Sequence, residues 1–102
     1  MSGIAGTDVK KVIVACDAGM GSSVLLASQL AKKLRPFSVA VEHSPVASIP
    51  ADADVVLCHV GLADRARQMA PDKVILGFQV FMGDPVFDRL VVAIKDGAWI
   101  DG

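Results

Sequence analysis

A β-branched apolar run, followed by a glycine-bearing turn and a helical pattern, constrains the fold of this chain more than any other feature. The composition of residues 9–15 predicts a strand, residues 17–23 a turn, and residues 23–34 repeat apolar side chains at helical spacing. The helix is expected to end before Pro36. A strand, a turn and a helix in this order form the first half of a βαβ unit, so the sequence favours a parallel sheet.

The rest of the chain repeats this alternation of strands and helices. Further strands are predicted at residues 38–43, 54–58 and 73–76, and further helices at residues 62–69 and 85–97. Crossovers between parallel strands are right-handed, which limits the possible topologies. We therefore expect a single α/β domain with a four-stranded parallel sheet in the order 2-1-3-4, flanked by helices on both faces. This arrangement is flavodoxin-like and is also that of the low-molecular-weight phosphatases.

The composition agrees with a sheet that is buried on both faces. Of the 102 residues, 53% are hydrophobic and 21% are charged. Residues 1–8 are small and unpatterned, so we expect a flexible N-terminal tail followed by one domain over residues 9–102.

The same composition excludes several classes of partner and location. No apolar run approaches the ~18 residues that a membrane span needs, and the start lacks a signal-peptide pattern, so a cytoplasmic domain without membrane insertion is expected. A net charge of -1 offers no bulk attraction to nucleic acid.

The two cysteines, Cys16 and Cys58, occupy different positions in this pattern. They are too few for a disulfide scaffold and lack the spacing of zinc ligands, so neither a metal nor a cofactor is expected. Cys58 follows an apolar run and is predicted to be an inert, buried strand-end residue. Cys16 lies where the first strand passes into the turn, at the sheet edge where α/β proteins bind ligands.

The turn after Cys16 has the composition of a phosphate-binding loop. It consists of Asp17, Ala18, Gly19, Met20, Gly21, Ser22 and Ser23. Its glycines let backbone N–H groups converge on an anion, its serines add hydroxyl donors, and the following helix N-terminus adds partial positive charge. The same groups favour a thiolate, so the pKa of Cys16 is expected to lie below that of a free cysteine. Such a thiolate can attack phosphorus and hold a phosphoryl group.

Alternative explanations of this loop differ at single positions. A nucleotide-binding P-loop requires a lysine after its last glycine, where this chain has Ser22, and a dinucleotide fingerprint requires a third glycine, where it has Val24. Cysteine phosphatases have a more similar loop, but with an arginine six positions after the cysteine, again where this chain has Ser22. Arginine stabilises a phosphoryl group during hydrolysis, so its absence favours a carrier. A glycine turn with an incidental buried cysteine is the simplest alternative.

The run IVACDAGMGSS, residues 13–23, resembles the active-site loop of the mannitol-type IIB domains of the bacterial sugar phosphotransferase system. Supporting similarity continues through His59, Leu62 and Arg65 to the last predicted helix. The resemblance implies a phosphotransferase in which Cys16 accepts a phosphoryl group from a phosphohistidine on a IIA partner. Cys16 would then pass it to a sugar or polyol, mannitol-like, bound by the membrane IIC component. Residues 17–23 would wrap the phosphate, and the domain would be cytoplasmic, peripheral to the inner membrane through IIC.

His59 is a possible accessory residue, because the strand that it ends is expected to neighbour the first strand. A satisfied strand-end histidine with no role in the site is the simpler alternative. Two other functions also stay open: a low-molecular-weight cysteine phosphatase or arsenate-reductase-like enzyme, and a non-catalytic anion-binding module.

Overall fold

The structure, a computed structural model, describes residues 3–16, 21–79 and 84–101; for residues 16, 21–23 and 101 it describes the backbone. Its strands are β1 (Gly3–Ala5), β2 (Lys11–Cys16), β3 (Ala40–Pro45), β4 (Val55–His59), β5 (Val74–Phe78) and β6 (Trp99–Asp101). Its α-helices are α1 (Gly21–Leu34), α2 (Ala63–Met69) and α3 (Pro85–Asp96), with short 3₁₀ turns between several elements.

Four of the described strands form a parallel sheet in the order β3-β2-β4-β5. Val12 of β2 pairs with Val41 of β3 on one side and with Val55 of β4 on the other. The four predicted strands are β2, β3, β4 and β5 in chain order, displaced by one or two residues at their ends. The predicted order 2-1-3-4 is therefore confirmed.

The central strands are buried on both faces because each carries an unbroken run of apolar side chains, over residues 12–15 in β2 and 55–58 in β4. Val12 and Val14 pack in one cluster with the inner faces of α1 and α3, whereas Ile13 and Ala15 pack in a second cluster with α2. Successive side chains of a strand point to opposite faces, so an unbroken apolar run requires cover on both sides. The predicted helices on both faces are confirmed.

Helix α3 begins and ends at the signals that its sequence contains. The Asp84 carboxylate accepts hydrogen bonds from the N–H groups of Val86 (3.0 Å) and Gln79 (2.8 Å), so it caps the helix and also holds the end of β5. Pro85 occupies the first turn, and Gly97 ends the helix with φ of 72°.

Carboxylates connect neighbouring strands at the edge of the sheet where the parallel strands begin. Asp54 Oδ2 accepts the N–H groups of Lys10 (2.7 Å) and Lys11 (3.0 Å), which joins the start of β2 to the residue before β4. The Lys11 ammonium lies 2.8 Å from Asp52 and 3.3 Å from Glu42. Its hydrogen bond with Asp52 raises the pKa of Lys11 and lowers that of Asp52. These charged groups lie at the edge opposite to Cys16.

A second, two-stranded sheet brings the two ends of the chain together. β1 pairs antiparallel with β6, with Ala5 opposite Trp99, and the buried Gly6 donates its N–H to Ala98 O at 2.7 Å. The sequence predicts a flexible tail over residues 1–8, whereas residues 3–8 here form a strand and a 3₁₀ turn. β1 and β6 have three residues each, which is too short for the alternation of apolar and polar side chains to be recognised in the sequence. The domain boundary at residue 9 stays a prediction.

Replacing Gly6 by alanine is expected to lower the free energy of unfolding by roughly 1–3 kcal/mol. A Cβ atom at this position would overlap the backbone carbonyl of Ala93, which cannot move without disturbing α3. Urea unfolding of Gly6→Ala against the exposed Thr7→Ala checks this, since the control is expected to stay within about 0.5 kcal/mol of the wild type. Equal stability of Gly6→Ala and wild type would mean that residues 3–8 are not packed in solution.

Candidate functional site

Cys16 is the last residue of β2, at the carboxyl edge of the parallel sheet, where its backbone pairs with Pro45 of β3. Helix α1 begins at Gly21, so a strand end and a helix start lie on either side of the predicted loop. Gly21, Ser22 and Ser23 form the first turn of α1. The remaining predicted loop residues, Asp17, Ala18, Gly19 and Met20, lie outside the described residues.

The N-terminus of α1 gives this edge a partial positive charge. The helix is 14 residues long and has no acidic residue in its first turn. The first N–H groups of an α-helix have no partner within the helix, and the peptide dipoles add to them. An anion close to this end of α1 would therefore be stabilised.

His59 lies at the same edge, at the end of the neighbouring strand. Val14 of β2 pairs with Leu57 of β4, and Cys16 and His59 each follow two residues later along parallel strands. His59 Nδ1 accepts a hydrogen bond from the Gly61 N–H at 3.1 Å, and its ring meets that of Phe78 edge-on, with centroids 6.1 Å apart. The structure therefore gives His59 a local partner and also places it beside the strand end that carries Cys16.

Cys58 is enclosed in the core. It is fully buried in β4, in the cluster that packs against α2. Burial raises the pKa of its thiol, and the positive charge of Arg67 opposes this with a smaller effect. The prediction that Cys58 is buried near the end of its strand is confirmed, and its inertness stays a prediction.

Three exposed apolar side chains at the carboxyl edge were not predicted as part of the site. Val24 and Leu25 in the first turns of α1 are 48% and 53% exposed, and Val60, directly after β4, is 46% exposed. The first two lie away from the buried helix face formed by Leu26 and Leu30. In the sequence, the only sign of the exposure of Val24 and Leu25 is that they fall outside the apolar face of the predicted helix.

Metal and membrane features were searched within residues 3–16, 21–79 and 84–101. In these ranges no group of three or more His, Cys, Asp or Glu side chains could hold a metal ion. None of the helices described there is long and apolar enough to cross a bilayer.

Comparison with known proteins identifies the family. The family model described as "PTS system, Lactose/Cellobiose specific IIB subunit" matches residues 11–90. The mannitol-specific EIICB components of Geobacillus stearothermophilus and Bacillus subtilis are each 37% identical over 89 residues, 85% of this chain and 19% of theirs. The mannitol-specific EIICBA component of Vibrio cholerae is 40% identical over 89 residues, 85% of this chain and 14% of its own length. The chain thus spans less than a fifth of these relatives.

The matched residues contain the whole parallel sheet. They begin at the first residue of β2 and end within α3, so they include Cys16, the start of α1 and His59, whereas β1 and β6 lie outside them. The match also agrees with the resemblance of the loop sequence to phosphotransferase-system IIB domains. The chain belongs to the IIB subunits of the sugar phosphotransferase system, and is a phosphoryl-transfer domain of that family.

Proposed function

We propose that Cys16 is the residue that carries the phosphoryl group. The observation that carries this proposal is its position: Cys16 ends the central strand β2 and is followed within five residues by the start of α1, in a chain of the IIB family. The other cysteine, Cys58, is buried and its thiol pKa is raised, so it is a poor nucleophile.

The proposed reaction has two transfer steps. The Cys16 thiolate attacks the phosphorus of a phosphohistidine, forming an S–P bond while the N–P bond breaks and its electron pair returns to the imidazole. A hydroxyl oxygen of the sugar then attacks the same phosphorus and gives its proton to water or to a base of the IIC component. The S–P bond breaks, and its electron pair returns to sulfur, which regenerates the thiolate. Neither step needs an oxidant or a cofactor.

Residues 17–23 are proposed to bind the phosphoryl group. The backbone N–H groups of the first turn of α1, together with Ser22 and Ser23, supply donors without a full positive charge. A cysteine phosphatase has arginine at the position of Ser22, and this charged group favours transfer to water. A loop with neutral donors suits a carrier that must hold its phosphoryl group until the acceptor arrives.

The donor is proposed to be a IIA protein or domain, and the acceptor a sugar bound by the membrane IIC component. The similar proteins are EIICB and EIICBA components, which supports both partners. The exposed Val24, Leu25 and Val60 near Cys16 offer apolar contact to each partner in turn. The domain is accordingly proposed to act in the cytoplasm, peripheral to the inner membrane through IIC, with residues 9–102 as the functional unit.

The transported substrate is proposed to be mannitol or a similar polyol. The relatives named above are mannitol-specific, although the family model carries a lactose and cellobiose description. Discharge of the phosphorylated chain by IIC membranes with mannitol, compared with cellobiose, tests this choice.

Iodoacetamide is expected to alkylate Cys16 at least about tenfold faster than Cys58 at neutral pH. The helix N-terminus beside Cys16 favours its thiolate, whereas the raised pKa and full burial of Cys58 suppress both ionisation and access. Peptide mass spectrometry over a pH series measures both rates. Equal alkylation rates would show that the N-terminus of α1 does not stabilise the Cys16 thiolate, and would count against the proposed site.

Cys16→Ser is expected to abolish phosphorylation while leaving the fold intact, because a serine hydroxyl is scarcely ionised at neutral pH. The matched control is Cys58→Ser, which is expected to be phosphorylated normally but to unfold more easily, since it buries a hydroxyl. Intact mass after incubation with phosphoenolpyruvate, the general relay enzymes and a IIA domain reports both. Loss of phosphorylation in the Cys58 variant alone would show that Cys58, and not Cys16, carries the phosphoryl group.

The phosphorylated chain is expected to persist for minutes in neutral buffer and to discharge rapidly when IIC membranes and polyol are added. The physical reason is the neutral serine at position 22, which offers less stabilisation than arginine to a phosphoryl group moving to water. Intact mass with and without acceptor gives the two lifetimes. Rapid discharge in buffer alone, with steady turnover of an aryl phosphate, would instead support a low-molecular-weight phosphatase.

A further inference from the structure

We propose that the outward face of α3 is a homodimer interface, on which a second copy of this chain packs its own α3 in the antiparallel direction. The two-fold axis of this dimer passes beside Val92, near the middle of the helix. The interface lies on a surface apart from Cys16, and it does not depend on the role proposed for that cysteine.

The first observation is an apolar groove along this face of α3. Val92 is 53% exposed, and Trp99, the first residue of β6, is 64% exposed. Together with Ala93 and Ala98 they form the apolar wall of an open groove of about 380 Å³. The indole lies over Gly3, where a Cβ atom would overlap the ring, so β1 supports it. Large apolar side chains that share one exposed groove are typical of a protein-contact surface.

The second observation is the arrangement of charges on either side of Val92. Asp88 and Lys95 are seven residues apart, about two helical turns, so they lie on one flank of the exposed face. Arg89 and Asp96 have the same spacing and lie on the other flank. Within the described residues, none of these four exposed side chains forms an ion pair. Each flank therefore carries one negative and one positive charge, at opposite ends of the helix.

A two-fold axis turns this arrangement into complementary contacts between two copies. When α3 packs antiparallel against its copy, each flank meets the same flank of the other copy in the reverse direction. Asp88 of each copy then lies opposite Lys95 of the other. Arg89 of each copy likewise lies opposite Asp96 of the other, so four pairs of opposite charges surround the two Val92 side chains.

The groove decides the direction of packing, because opposite charges also meet when the two helices are parallel. Arg89, Ala93 and Trp99 line the groove, so it lies along the flank that carries Arg89. In the antiparallel pair the two grooves meet, and each indole is covered by apolar surface. In a parallel pair each groove would instead meet the flank of Asp88 and Lys95. The antiparallel pair therefore buries more apolar surface.

This dimer leaves the carboxyl edges of both sheets accessible. α3 follows β5 and ends where Ala98 O accepts the Gly6 N–H, just before β2, so it runs toward the edge where the parallel strands begin. Antiparallel α3 helices thus place the two carboxyl edges at opposite ends of the dimer. Each copy can then meet its own partner protein.

Sedimentation equilibrium of the unaltered chain tests the association. The mass is expected to rise from 10.6 kDa toward twice that value between about 10 µM and about 1 mM, because one helix face gives a small and therefore weak interface. Trp99 is the single tryptophan of the chain, so its fluorescence reports on the same surface, and its emission is expected to shift to the blue as the dimer forms. A constant monomer mass over this range, or a dimer without the emission shift, would overturn the proposal.

Val92→Glu places two carboxylates at the two-fold axis and is expected to weaken the association at least about tenfold. The matched control is Val24→Glu, because Val24 is 48% exposed on α1 and undergoes the same exchange. This control is expected to associate like the wild type. Thermal unfolding of both variants at the wild-type temperature would show that neither has lost its fold. Wild-type association of Val92→Glu would contradict the proposed interface.

A charge exchange tests the direction of packing. Lys95→Asp sets two carboxylates against each other in the antiparallel dimer and is expected to weaken it about three- to tenfold. Addition of Asp88→Lys restores opposite charges and is expected to recover the affinity. In a parallel dimer the second substitution would set a lysine against Arg89 of the other copy, so further weakening in the double variant would refute the antiparallel arrangement.

Discussion

Burial of β2 and β4 on both faces is the constraint on which the rest of the structure depends. Residues Val12, Ile13 and Val14 are wholly enclosed, as are residues 55–58 of the neighbouring strand. Such strands cannot carry polar chemistry along their length, because each side chain is packed against a helix layer. Polar groups can enter only where the enclosure ends, and on β4 the first partly exposed residue is His59. The burial of the core thus determines where chemistry is possible.

The same constraint explains why two cysteines in one sheet differ so strongly. Cys58 lies one residue before the end of its strand, and its thiol is packed against α2. Cys16 is the last residue of its strand, and its backbone leads toward the N-terminus of α1. A difference of one position relative to the strand end therefore separates the buried Cys58 from Cys16, the residue proposed to carry the phosphoryl group.

The elements with strong periodic patterns could be predicted from the sequence, and so could the ends of α3, because Asp84 and Gly97 are specific helix signals. The strands β1 and β6 could not, since their pairing depends on Gly6 approaching the backbone of α3 so closely that only glycine fits. For the site, residue types predicted a strand that ends close to Cys16 and a helix that starts soon after it, and both are observed. The phosphoryl-binding roles of Cys16 and of residues 17–23 stay predictions. The hydrogen bond from Gly61 to His59 could not be predicted, because it depends on the backbone turn after β4.

The pairing of β1 with β6 has a consequence for the order of events during synthesis. Gly3 lies opposite Asp101, so the partner of the first strand is translated after the entire parallel sheet. While the ribosome is still at work, residues 3–8 have no ladder to join, and contacts between such distant residues form slowly. The closing step of folding is therefore expected to be the docking of residues 3–8, although they are translated before the parallel sheet.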